Sequence, residues 1–107
     1  MMKPITVSQT GAGSTGTIPL NVNVNPFNIG IAVVVSGTVN YTVQYTFDNV
    51  WSATYNSATA TWFDHASLAT ETTSQTGNFA FPVAGMRLTV NSGAGTATMT
   101  VIQAGLA

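Results

Sequence analysis

Hydrophobic and polar positions alternate with a period of two along most of this chain, and no segment sustains a helical period. From Thr38 to Phe47 the alternation is strict. Val39, Tyr41, Val43, Tyr45 and Phe47 fall on one side, and Thr38, Asn40, Thr42, Gln44 and Thr46 on the other. Successive side chains of a strand leave on opposite faces, so the pattern predicts a strand whose aromatic face is core. Just upstream, Ile29, Ile31, Val33 and Val35 share one face while Ala32 and Val34 share the other. A strand apolar on both faces needs cover on both, from its own core and from a partner. Ser36-Gly37 lies between the two strands and tolerates positive φ, so the pair is expected to fold back as a hairpin.

The same reading extends along the chain. Residues 4–10 predict a strand, and residues 11–16 (Gly-Ala-Gly-Ser-Thr-Gly) a turn-rich connection. Residues 17–24 set Leu20, Val22 and Val24 against Asn21, Asn23 and Asn25, with Pro19 marking an edge. After a turn at Asp48-Asn49, residues 50–66 read as a long excursion with one short strand at 58–63. Residues 64–69 predict a single helical turn with Asp64 as its cap. A polar loop at 70–77 leads into a strand at 78–83, with Phe79 and Phe81 on one face. A second hairpin joins 86–90 to 96–103 around 91–95, where Ser92-Gly93 echoes Ser36-Gly37. The expected fold is all-β: an antiparallel β-sandwich, jelly-roll or Ig-like, of about seven to eight short strands in one domain over residues 1–107.

Charge changes the functional picture. Only 5% of the 107 residues are charged, Lys3 and Arg87 against Asp48, Asp64 and Glu71, while 45% are hydrophobic. Two cations cannot neutralise a row of phosphates, so no nucleic-acid partner is expected. Electrostatic docking on an anionic membrane is disfavoured for the same reason, and no apolar run approaches the ~18 residues of a membrane span. The N-terminus lacks the basic region and apolar core of a signal peptide. Without cysteine there is neither a disulfide framework nor a thiolate metal site. Hydroxyls and amides take the place of charge, and a domain so poor in charge is expected to bury surface against copies of itself or a partner.

Candidate chemistry is sparse. Asp64-His65 is the one adjacent titratable pair, and an Asp can orient a His as a general base for a nucleophile such as Ser67. Neighbours in a strand face opposite ways, however, which favours a turn residue beside a surface or half-buried His. One His and three scattered carboxylates offer no strong metal site, and nothing surrounds Asp48, Asp64 or Glu71 that marks a glycosidase pair. No enzyme activity and no cofactor are expected. Trp51, Tyr55, Trp62 and Phe63 crowd the least regular region, where aromatics either stack on sugars, anchor an interface or close one end of the core. The candidate interface is Ala32, Val34, Trp51, Tyr55 and Trp62.

One resemblance carries further. The segment Val-Ser-Gly-Thr-Val-Asn-Tyr-Thr-Val-Gln-Tyr-Thr-Phe-Asp (35–48), Phe63-Asp64-His65, the run from Gly77 to Val83, and Arg87-Leu88-Thr89-Val90 with Ser92-Gly93 and Gly95-Thr96-Ala97-Thr98 resemble small all-β proteins encoded among the structural genes of tailed bacteriophages. The resemblance covers nearly the whole chain and carries no catalytic signature. It implies a virion structural protein, a head decoration (cement) protein on the capsid surface, with the major capsid protein or another virion protein as partner. It also implies self-association, with a trimer favoured. The alternative function is a carbohydrate-binding or adhesive module built on Trp51, Tyr55 and Trp62.

Overall fold

The computed structural model describes residues 4–20, 25–79 and 82–106, with backbone alone at 25–27 and 104–106. Among the described residues nine strands form: β1 (Ile5–Thr10), β2 (Gly13–Ser14), β3 (Ile18–Pro19), β4 (Asn25–Ser36), β5 (Asn40–Thr46), β6 (Phe63–Asp64), β7 (Gln75–Phe79), β8 (Gly85–Ser92) and β9 (Thr96–Leu106). They make two antiparallel sheets packed as a sandwich, the first in the order β1-β9-β4-β7. The second runs β2-β8-β5-β6, with β3 also paired to β8. The all-β antiparallel sandwich expected from the alternation is therefore the observed architecture.

Both predicted hairpins are corrected. β4 and β5 belong to different sheets, and so do β8 and β9, so each Ser-Gly connection carries the chain from one layer to the other. A turn signal marks where the chain reverses; only the layer packing decides whether it returns beside itself or across the core. The echo between the connections has a spatial meaning. The Gly95 N–H donates to the Thr38 carbonyl at 2.9 Å, and Gly37 and Gly93 both have positive φ, at 80° and 99°. A Cβ on Gly93 or Gly95 would run into the carbonyls of Thr38 or Ser36. The two crossovers meet backbone to backbone.

The core is where alternation placed it, with one exception. Ile29, Ile31 and Val33 of β4 face Val39, Tyr41 and Val43 of the β5 segment across the interior, joined by Leu88, Val90, Met99 and Val101. Tyr45 is half-buried, but Phe47 is 57% exposed, which corrects its assignment to the inward face. The ladder stops at Thr46: its carbonyl accepts the Ala84 N–H at 2.9 Å and its hydroxyl accepts the Asp48 N–H at 3.1 Å. Phe47 lies past this terminus, on the rim.

Several boundaries also move. The strand expected at 58–63 is the two-residue β6 at Phe63–Asp64, and β7 spans Gln75–Phe79 instead of 78–83. β2 forms inside the predicted connection 11–16, pairing Gly13 with Val90. Val22, Val24 and Phe81 lie outside the described residues. Residues 65–68 make one hydrogen-bonded turn, Leu68 N–H to the His65 carbonyl at 3.2 Å, but no helix follows, and His65 Nδ1 takes the Ser67 N–H in place of Asp64. That segment instead bonds the edge of β5: Val43 N–H donates to the Leu68 carbonyl and His65 N–H to the Val43 carbonyl, each at 2.8 Å. Leu68 thereby becomes fully buried, closing the sandwich at this edge.

Candidate functional site

Alternation along the first sheet turns one set of side chains inward and the other to an outer face. The register sets these outer residues in rows: Ser8, Thr98 and Val34; then Thr6, Thr100, Ala32 and Thr76; then Ile102, Gly30 and Asn78. The face is made of hydroxyl and hydrocarbon. Thr6 and Thr100 hydroxyls lie 3.2 Å apart, and those of Thr10 and Thr96 2.8 Å. Val34 is 60% exposed and Ile102 49%, with Ala32 half-buried between them. Ala32 and Val34 border a shallow groove of about 290 Å³ shared with Ser74, Gln75 and Thr76.

Charge is segregated from this face. Among the described residues, Asp64 and Arg87 sit on β6 and β8 of the second sheet. Asp48 and Glu71 bond by their backbones to β5, at Thr46 and Tyr41. The outer face of the first sheet carries no charged side chain among those described. Ala32 and Val34 thus stand where the sequence places them, on an outer face that no described strand covers, and Ile102 extends it. Ile102 was legible too, since it continues the outward set Thr96, Thr98, Thr100.

A second apolar region forms at the rim where β5 ends. Tyr45 stacks on Phe63 with centroids 5.7 Å apart and planes at 28°, and Phe47 meets Phe63 at 6.0 Å. Tyr45 anchors the group inward through an edge contact to buried Phe79 at 5.0 Å. Beside it a depression of about 210 Å³ is lined by Tyr45, Asp64, His65, Ala66, Asn78 and Phe79. Phe47 was overlooked as a surface residue because strict alternation pointed it inward.

The Asp64-His65 pair does not form a catalytic dyad. Asp64 points outward and accepts Gln44 Nε2–H at 3.1 Å, while Gln44 Oε1 accepts from Arg87 Nε at 2.9 Å and from the Thr89 hydroxyl at 2.9 Å. His65 points inward and is buried against Phe79, ring centroids 4.8 Å apart. Its Nδ1 accepts the Ser67 backbone N–H at 3.1 Å, which leaves Nε2 to carry the proton and donate to the Asn78 carbonyl at 2.9 Å. Both ring nitrogens are committed to backbone, so the imidazole has no free lone pair for a Ser67 hydroxyl. Among the described residues no group of three or more His, Asp or Glu is placed to hold a metal ion.

The aromatics of the excursion divide. Trp62 lies under the Arg87 guanidinium, 4.1 Å from its ring centroid, and its Nε1–H donates to the Ser57 carbonyl at 3.0 Å. Burial there lowers the Arg87 pKa from its ordinary value, partly opposed by Tyr55. The Tyr55 hydroxyl is bonded to that of Thr17 at 2.9 Å. These two rings pin the excursion to the second sheet. Trp51, by contrast, is 72% exposed. Of the three aromatics expected to present a surface, the structure offers one openly and employs two as struts.

Compared with models of known protein families, with curated proteins and with solved structures, the chain matches none of them. No helix is long and apolar enough to cross a membrane among the described residues.

Proposed function

We propose that this chain is a non-enzymatic virion structural protein, a capsid decoration protein of a tailed bacteriophage that docks through the outer face of its first sheet. The observation that carries the docking is that Val34 and Ile102, 60% and 49% exposed with half-buried Ala32 between them, share a face with no described charge. Contiguous exposed apolar surface marks interaction sites, and a rim of hydroxyls lets such a contact close without leaving buried charges. The viral setting rests on the resemblance of residues 35–48, 63–65, 77–83 and 87–98, and the partner in that setting is the major capsid protein.

A glycan-binding module is the weaker reading, because one face of Trp62 is covered by Arg87 and the Tyr55 hydroxyl is bonded within the fold. Co-sedimentation with emptied phage heads, run beside a glycan panel, separates the two. Binding to heads that Val34→Lys abolishes in a folded protein supports decoration. Binding to glycans that Trp51→Ala abolishes, with no affinity for heads, overturns it.

A further inference from the structure

We infer that strand β1 pairs edge to edge with β1 of a second copy, joining two first sheets into one continuous sheet about a twofold axis. This contact uses the backbone edge of β1, which borders the Val34 face, and holds whether or not that face binds a shell.

The argument is an accounting of backbone groups. Gly11 N–H donates to the Gly95 carbonyl at 3.1 Å, continuing the β1–β9 register in which Thr10 faces Thr96. In an antiparallel ladder, hydrogen-bonded and non-bonded pairs alternate. Ile5, Val7 and Gln9 therefore bond to β9, while Thr6, Ser8 and Thr10 are the non-bonded positions. The close hydroxyl contacts Thr6–Thr100 and Thr10–Thr96 agree, since side chains approach more nearly at non-bonded pairs. The N–H and C=O groups of Thr6, Ser8 and Thr10 consequently point away from β9, to the sheet edge. Among the described residues no strand pairs there, and the Thr10 carbonyl receives only a long contact from Gln9 Nε2 at 3.5 Å.

The other edges are defended. Natural sheets blunt an edge by shortening it, by proline or charge, or by covering it. β2, β3 and β6 have two residues each, and β3 contains Pro19. β7 is shorter, five residues, and its Asn78 carbonyl is occupied by His65 Nε2 at 2.9 Å. β1 alone is six residues long, without charge or internal proline. Its sequence is also self-complementary. With Ser8 on the axis, Ser8 faces its own copy and Thr6 faces Thr10, so the open positions of one strand meet those of the other as hydrogen-bonded pairs. Half-buried Ile5 and Val7 would gain cover below, and only hydroxyls would meet above. The resemblance alone favours a trimer; the edge geometry selects a pair.

Light scattering over a concentration series, with residue-resolved amide hydrogen exchange on the same samples, tests this. The expected result is a dimer whose Thr6, Ser8 and Thr10 amides become protected as it forms. Ser8→Pro removes an N–H that the monomer's ladder does not use, and should leave a folded monomer with those amides exchanging freely. Should Ser8→Pro fail to fold, Ser8→Lys sets two like charges on the axis and should weaken association at least tenfold, while Thr76→Lys on the far strand should not. A protein that stays monomeric at high micromolar concentration, forms trimers, or dimerises with these three amides unprotected would overturn the inference. Loss of head binding by Val34→Lys with the dimer intact bears on the docking face alone.

Discussion

His65 Nε2 lies 2.9 Å from the carbonyl oxygen of Asn78, and this single bond ties the edge of β7 in one sheet to the segment that closes the other. Gly77 makes room for it: a Cβ there would press on Leu68 and on the imidazole. His65→Ala should therefore lower stability by about 2–4 kcal/mol, through two lost hydrogen bonds and a cavity beside Phe79. Docking by the still-folded fraction should be unchanged, and so should docking by Asp64→Asn. A thermal melt read beside a head-binding assay checks this; lost binding with an unchanged melt would return His65 to the functional site.

Phe79 and Phe47 make a matched pair. Both touch Tyr45, but Phe79 is fully buried and Phe47 largely exposed. Phe79→Ala should cost about 3–5 kcal/mol, and Phe47→Ala less than about 1 kcal/mol. Urea midpoints of the two variants decide, and equal losses would place Phe47 in the core after all.

Alkaline pH should loosen the fold through Tyr41. Burial, reinforced by the charge of Glu71, pushes its phenol from 10.0 up to about 12. The folded state favours the neutral phenol, so this contribution is complete below pH 10.0 and is lost as pH rises through about 12. Tyr41→Phe should flatten stability across that window. Below it, the variant should be weaker by about 0.5–1.5 kcal/mol, since the hydroxyl donates to the Thr73 carbonyl at 2.7 Å. Chemical denaturation of both proteins at several pH values in this window checks the slope.

The crossover glycines should be intolerant. Gly93→Ala combines positive φ with a clash against the Thr38 carbonyl, and should cost at least about 1–3 kcal/mol. Gly16→Ala, with open space around its Cβ, should be close to neutral. Equal melting temperatures for the two would show that the crossovers can separate without cost.

Strand positions and faces were determined by the sequence itself wherever alternation ran unbroken. Ile29 to Val35, Val39 to Val43 and Ile5 to Thr10 occupy the faces their period assigns, because a pleated backbone leaves a side chain no third direction. Val34 was exposed for the same reason: a strand apolar on both faces can give its own core only one. Tertiary structure alone decided which strands are neighbours. Ser36-Gly37 and Ser92-Gly93 look like hairpin turns locally, yet carry the chain between layers, since pairing partners are chosen by what buries the most surface. It decided, too, the fate of residues whose partners are distant in the chain. Leu68 is core because β5 offers it backbone bonds; His65 is a clasp because β7 passes beside it. Trp62 is a strut because Arg87 covers it, and Phe47 lies on the rim because its ladder stops one residue earlier. Each depends on a contact between segments far apart in the chain, and no local period encodes it.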